Sequence, residues 1–330
     1  MIVIGAALAV VAAMPAGVTA QGRVIITLAS LAPEGSVWDN ELKQLAADWG
    51  KLSNNSVQLR VFSGGRLGTE SSVISQMRAG ARPEAAVLTT GLSELDDGFS
   101  VFSLPFFFDS LDEVSAVIEA LEPVLTAKLE PQGLTLVSWG FGGWVHMFSA
   151  TPITTLDDLK KAKLFTSAGD NVAENWYRRN GFNPVALGAT DVGAALASGS
   201  ITAMPAPPYA ALVFQWYRET PHMLDVQVAP LIGGVVVNTR AWNRIPADIR
   251  PKLIDAARDT ERRLMAKIPA QDRDAVKEMQ ARSLKVSQPD AGFRASAEPL
   301  IESMRGAWIP DDVYDLALKA RAAYRQAKNK

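Results

Sequence analysis

The sequence predicts an α/β protein, a parallel or mixed sheet flanked by helices. Three observations predict it. Strand-like apolar runs alternate with helix-spaced segments from residue 24 to about residue 90. The same alternation resumes between residues 134 and 238. The length, 330 residues, fits one large domain or two of medium size. A β-α-β-α-β order implies parallel strands covered by helices. Ligands of such sheets sit at the carboxyl ends of the strands.

Each element follows from its pattern. Residues 24–29 form an apolar run that reads as a buried strand. A polar loop with Pro33 and Gly35 follows. Trp38, Leu42, Leu45, Ala46 and Trp49 then recur at helical spacing over 37–52. Residues 57–62 alternate as a strand, Gly64-Gly65 turns the chain, 70–78 is helical, and 85–88 is a third short strand. The loops at 31–36 and 89–91 are therefore candidate pocket walls, with Leu31, Trp38, Thr89 and Thr90 facing the ligand. In the second half, 134–138, 145–148, 163–166, 201–204 and 235–238 read as strands. Helices are expected at 156–160, 171–179 and 192–197, at 248–283 with a break at Pro269, and at 310–330.

Composition excludes several functions. Apolar residues make up 48% and charged residues 21%, which is the balance of a globular chain. The net charge of −2 argues against a nucleic-acid partner, since phosphate binding needs clustered Lys and Arg. The chain has no Cys, so disulfides, thiolate metal sites and Cys nucleophiles are excluded. Residues 2–18 are apolar and small, and Val18-Thr19-Ala20 fits signal-peptidase cleavage. A signal peptide over 1–20 and export to the periplasm are expected.

Motifs for chemistry are missing. The only histidines, His146 and His222, have no carboxylate at metal-ligand spacing. There is no Gly-x-Ser-x-Gly elbow, Walker loop or dinucleotide fingerprint. Gly140-Phe141-Gly142-Gly143 precedes no helix start and reads as a domain crossover or tight turn. No catalytic residue, metal or cofactor is therefore expected. The aromatics at loops and strand ends, among them Trp38, Trp144 and Phe165, are better candidates for ligand contact.

Several landmarks stand in a recognisable order: Gly65-Arg66-Leu67-Gly68, Met77-Arg78-Ala79-Gly80 and Phe102-Ser103-Leu104-Pro105-Phe106. Pro152-Ile153 with Asp158-Leu159-Lys160 follows, then Val237-Asn238 with Trp242 and Pro246. In this order the chain resembles the solute-binding proteins of TRAP-type (tripartite ATP-independent periplasmic) transporters. The resemblance implies a two-lobed periplasmic binding protein fold with a long connecting helix. It puts lobe I at 22–142 plus 231–270, lobe II at 143–230 plus 271–330, and a ligand cleft between them. It implies a carrier and not an enzyme, with a small-molecule ligand and membrane transporter subunits as partners.

The departures from that family predict the ligand. Members hold a carboxylate with an Arg on the strand after Asp-Leu-Lys, because a guanidinium forms a charge-assisted fork with a carboxylate. Phe165 stands at that position, and Val145 stands where a second Arg is frequent. Met204-Pro205-Ala206 replaces a Gln-Glu-Asn segment, and Ala189 and Gly193 replace large residues. Val228-Ala229-Pro230 replaces an Asn-His pair. A buried carboxylate without a cation is costly. The expected pocket is roomy and apolar, for a neutral, apolar or amphipathic molecule, with Thr89, Thr90 and indole N–H groups orienting it. Two alternatives remain: a carboxylate held by a non-standard Arg, with Arg178 and Arg179 as candidates, or a ligand sensor serving a membrane receptor.

Overall fold

The computed structural model describes residues 23–328, so the expected signal peptide lies outside the described residues. The first part of the chain forms β1 (Val24–Ala29), α1 (Val37–Leu52), β2 (Val57–Phe62), α2 (Glu70–Arg78), β3 (Ala85–Leu88), α3 (Gly91–Leu95) and α4 (Leu111–Leu129). The middle forms β4 (Leu134–Ser149), α5 (Leu156–Lys161), β5 (Lys163–Ser167), α6 (Asn171–Arg179), β6 (Asn183–Leu187), α7 (Val192–Ala197), β7 (Ala203–Ala206) and α8 (Pro208–Val213). The rest forms β8 (His222–Asn238), α9 (Thr239–Asn243), α10 (Arg250–Ala281), β9 (Lys285–Ser287), α11 (Phe293–Met304) and α12 (Asp311–Lys328).

Short polar residues start the helices. Ser36, Thr69 and Ser110 each accept a hydrogen bond from the backbone N–H three residues on. Thr155 and Asp158 close a reciprocal capping box at α5. These contacts satisfy N–H groups that the helix itself leaves free.

The strands form one nine-stranded mixed sheet in the order β2-β1-β3-β8-β4-β7-β5-β6, with β9 beside β8. β1 runs parallel to β2 and β3, and β5 runs parallel to β6 and β7. β4 and β8 are antiparallel and pair from Leu134↔Asn238 to Ser149↔His222, so one ladder crosses both halves of the molecule. The sequence reading splits β4 in two and finds only the end of β8. The glycines at 140–143 make the crossover and no tight turn, because they lie inside the ladder. Gly140 faces Gly233, and the register shifts between Phe141 and Gly143. Gly143 has φ +124, and a Cβ on Gly233 would meet the Leu88 carbonyl at 2.7 Å. Glycine therefore permits the bulge and the close strand approach.

α10 is the expected long helix, and it spans the two halves. Near its start, Trp49 Nε1 of α1 donates to the Leu253 carbonyl at 3.1 Å, and Arg263 and Lys267 clasp Glu41. Near its end, Asp272 accepts from the Tyr209 N–H of α8 at 3.0 Å and the Trp144 N–H of β4 at 3.4 Å. Pro269, expected as a break, lies inside α10. Burial of Leu264, Ile268 and Asp272 on either side holds the helix despite the lost bond.

The last helix departs from the expected grouping of 271–330 with lobe II. α12 packs on α4 of the first half, where Arg325 pairs with Glu113 and Asp109 and Arg321 donates to the Phe107 carbonyl. Val313 and Ala317 are fully buried there. Among the described residues, no helix is long and apolar enough to cross a membrane.

Candidate functional site

The loop after β3 is fixed from below. Glu70, the first residue of α2, accepts from the Thr89 N–H (3.0 and 3.1 Å), the Thr89 hydroxyl (2.8 Å) and the Gly91 N–H (2.5 Å). Burial pushes its carboxyl above the usual range, although these donors oppose the shift. The loop needs glycine at 91, since a Cβ there would lie 2.7 Å from Glu70 Oε2.

Above this loop the two halves of the molecule meet. Ser167 Oγ donates to Thr90 Oγ1 at 3.0 Å, Ser93 Oγ to Asp170 Oδ2 at 2.9 Å, and Ser71 Oγ to the Ala168 carbonyl at 3.2 Å. Each bond joins the β1–β3 half to the β5–α6 segment. The structure therefore shows the halves closed on one another. Between them lies a cavity of about 270 Å³.

Six of the expected site residues line this cavity: Thr89, Thr90, Val145, Phe165, Pro205 and Ala229. Seven do not. Trp144 packs edge-on against Phe141, and its N–H meets Asp272. Met204 and Ala206 are buried on β7 at positions alternating with Pro205. Trp38 packs on Tyr209 at 4.8 Å between ring centroids, and the adjacent Val37 N–H donates to the Tyr209 hydroxyl. Leu31 lies beside Gly65, and the turn carrying Ala189 borders Thr69 and Gly65 through Gly188 and Thr190. Gly193 is exposed on α7. The Thr89 hydroxyl donates to Glu70, and Thr90 Oγ1 accepts from Ser167.

Beyond the expected residues the cavity runs under α5, α6 and α11. Its wall there includes Leu159, Trp176, Tyr177, Phe182, Ile301 and Trp308. No sequence signal singled these out, because aromatics at helical spacing read as core. The Tyr177 hydroxyl is pushed up to about 12 by burial and by Asp170, so it stays protonated. Among the described lining residues there is no Lys, Arg or His, and the one charged side chain is Asp170. Neither candidate Arg enters: Arg178 pairs with Glu174 at 2.6 Å, and Arg179 lines a separate surface hollow. Nearby, burial first and then the charges of Asp170 and Asp96 raise the Asp97 carboxyl above its usual range. His146 is held neutral by burial while its ring contacts the Leu224 carbonyl at 3.3 Å. No group of three or more metal-ligating side chains forms among the described residues.

The sequence matches the family described as "Bacterial extracellular solute-binding protein, family 7" (DctP) over residues 28–306. The chain belongs to that family. Family 7 is a family of extracellular solute-binding proteins, as the resemblance in the sequence implied. Among curated relatives, it is 26% identical over 206 residues to the C4-dicarboxylate-binding periplasmic protein DctP of Rhodobacter capsulatus, covering 62% of this chain and 61% of that protein. It is 22% identical to an uncharacterized protein of Haemophilus influenzae, covering 59% and 60%. The chain thus matches about three fifths of the length of these relatives.

Solved structures extend the likeness over nearly the whole fold. A TRAP periplasmic solute-binding protein of Xanthobacter autotrophicus with bound β-D-galacturonate superposes with a TM-score of 0.82 at 19% identity, covering 90% of this chain and 99% of that one. The galactonate complex of the sugar acid binding protein of Advenella mimigardefordensis gives 0.84 at 20%, covering 92% and 99%. The orotic acid complex of a Desulfovibrio salexigens TRAP protein gives 0.85 at 16%, covering 91% and 99%. At these identities the likeness is one of fold, and it matches the two-lobed architecture of this family 7 member.

Proposed function

We propose that this chain is the extracytoplasmic receptor of a TRAP-type secondary transporter. It closes its two lobes over a small molecule, performs no chemistry on it, and presents the closed form to membrane subunits. One observation carries the reading: a cavity between the two halves, beside direct hydrogen bonds that join them. A closure of this kind gives a transporter a ligand-dependent shape to read. The lobes are proposed at 22–142 with 231–270 and at 143–230 with 271–310, with α12 returning to lobe I. Export to the periplasm accords with the family.

Two ligand readings stand under this conclusion, each with its own support. The comparisons favour a carboxylate, because the structural neighbours hold sugar acids and orotic acid and the named curated relative is a C4-dicarboxylate binder. The neutral ligand expected from the sequence has no counterpart among them. The walls support that neutral or amphipathic ligand, because Phe165 and Val145 face a cavity without a cation and Asp170 opposes an anion. A carboxylate bound here would need neutral donors in place of an Arg.

A thermal-shift panel of dicarboxylates, sugar acids and neutral apolar molecules separates the two readings. Stabilisation by acids alone retires the neutral reading. Phe165→Arg tests the placement of the site itself. It is expected to raise affinity for small carboxylates about tenfold, the scale of one charge-assisted pair. No gain for any acid in the panel would remove Phe165 from the ligand contact set.

A further inference from the structure

The cavity reaches the surface at two places. Thr90 and Ser103 line it and are also exposed, while its other lining residues are buried or half-buried. The two rims differ in charge. At the first, Ser93 donates to both the Thr90 carbonyl and Asp170, and Glu94 accepts from Ser71 close by. That rim is acidic. At the second, Ser103 ends the 3₁₀ helix Asp97–Ser103, and the chain runs on through Pro105 and Phe106.

Phe106 is held there in a strained pose. Its φ is +57, uncommon for a bulky residue. Its N–H donates to the Val228 carbonyl of β8 at 2.7 Å. Its ring meets Phe293 of α11 edge-on, 6.3 Å between centroids, and both residues line the cavity. Arg294, the next residue of α11, stands over the Phe106 ring with its guanidinium carbon 4.8 Å from the centroid. It is exposed, and among the described residues it pairs with no carboxylate. The other arginines at this loop are committed: Arg321 donates to the Phe107 carbonyl, and Arg325 pairs with Glu113. A guanidinium can rest its face on a ring and still offer its N–H edge to an anion.

We propose that the ligand is an amphipathic carboxylate, lying with its apolar end in the cavity and its carboxylate at the Phe106 rim against Arg294. The proposal rests on the receptor reading above and names the ligand class within it. Inside the cavity an acid head would have no cation and would share the space with Asp170. At this rim it stays hydrated and gains a charge-assisted partner. The aromatic and aliphatic walls take the rest of the molecule.

Octanoate, 1-octanol and acetate test this. They carry the chain with an acid head, the chain with a neutral head, and the acid head alone. Binding is read by calorimetry on wild type, Arg294→Gln and Arg294→Lys. Wild type is expected to bind octanoate about fivefold more tightly than octanol, the scale of one exposed charge pair, and to show no binding of acetate. Arg294→Gln should lose that preference, and Arg294→Lys should keep part of it. Added salt should shrink it, because the pair lies at the surface.

If wild type binds octanoate no better than octanol, or the preference survives Arg294→Gln or high salt, the placement of the head group is overturned and a receptor with an apolar cavity remains. Loss of both octyl probes in Arg294→Gln would show that Arg294 holds the rim together, and overturns the placement too. Binding of acetate, or of neither octyl probe, by wild type overturns the ligand class. The receptor reading is then decided by the thermal-shift panel above, which does not depend on Arg294.

Discussion

The two walls of the cavity are finished differently. On the β3 side, the polar groups of the Thr89–Gly91 loop are matched by Glu70. On the β5 and α11 side, the wall is aromatic and aliphatic, and Thr166 and Trp308 are left unmatched. The first wall is a rigid frame whose hydrogen bonds are spent on the protein. The second is mostly apolar, and its polar atoms on Thr166 and Trp308 are closed off from the cavity as well as unpaired. The difference separates a wall braced by hydrogen bonds from one built by apolar packing.

The largest expected effect strikes the rigid wall. Glu70→Ala strips the acceptor from three donors and should cost about 3 kcal/mol in chemical denaturation. Glu70→Gln keeps one acceptor oxygen and should cost about 1 kcal/mol. Equal costs would mean that this carboxyl does not hold the loop, and the contrast between the walls would fall.

A second effect tests whether the junction of α10 with α8 and β4 behaves as part of the frame. Burial raises the Asp272 carboxyl from 3.8 to about 6, against the opposing Tyr209 and Trp144 N–H groups. The folded protein therefore keeps a proton on Asp272 that the unfolded chain has already lost. The contribution of this group to stability is full below about pH 4 and is lost as pH rises through about 6. Between pH 4 and 7 it should cost the wild type about 2 kcal/mol that Asp272→Asn does not lose. Parallel stability-versus-pH curves for the two proteins would show that Asp272 titrates normally.

The smallest effect concerns the closed mouth. Ser93→Ala removes the bond to Asp170 and should weaken ligand affinity about fivefold, with global stability unchanged. An equal loss of stability and affinity would place Ser93 in the frame and not in the closure.

How much of this was legible beforehand varies by element. The strands at 24–29, 57–62 and 85–88 and the helices between them read directly, since their apolar spacing is local. β6 escaped because Pro184 sits in a five-residue strand, and α4 because Pro123 lies in its interior. β4 looked like two strands because glycines at 140–143 resemble a turn, and only the facing ladder of β8 shows them to be paired. Of the residues lining the cavity, Phe165, Val145, Pro205 and Ala229 were singled out through the family's order of landmarks, since a departure from a known pattern is visible in one dimension, and Thr89 and Thr90 through their place at the carboxyl end of a strand. Trp308 and Ser100 gave no signal, because a buried Trp or Ser reads the same whether or not it has a partner.

The sequence by itself determined the alternation of strands and helices and the family, and it marked Phe165 as a candidate ligand contact. These are properties of residue order and spacing. Only the tertiary structure decided which walls meet, that α12 returns to α4, and that Ser100, Thr166 and Trp308 keep polar side-chain atoms without a partner. Hydrogen-bond satisfaction depends on which atoms lie within about 3 Å of each other, and no distance of that kind is written in the order of the chain.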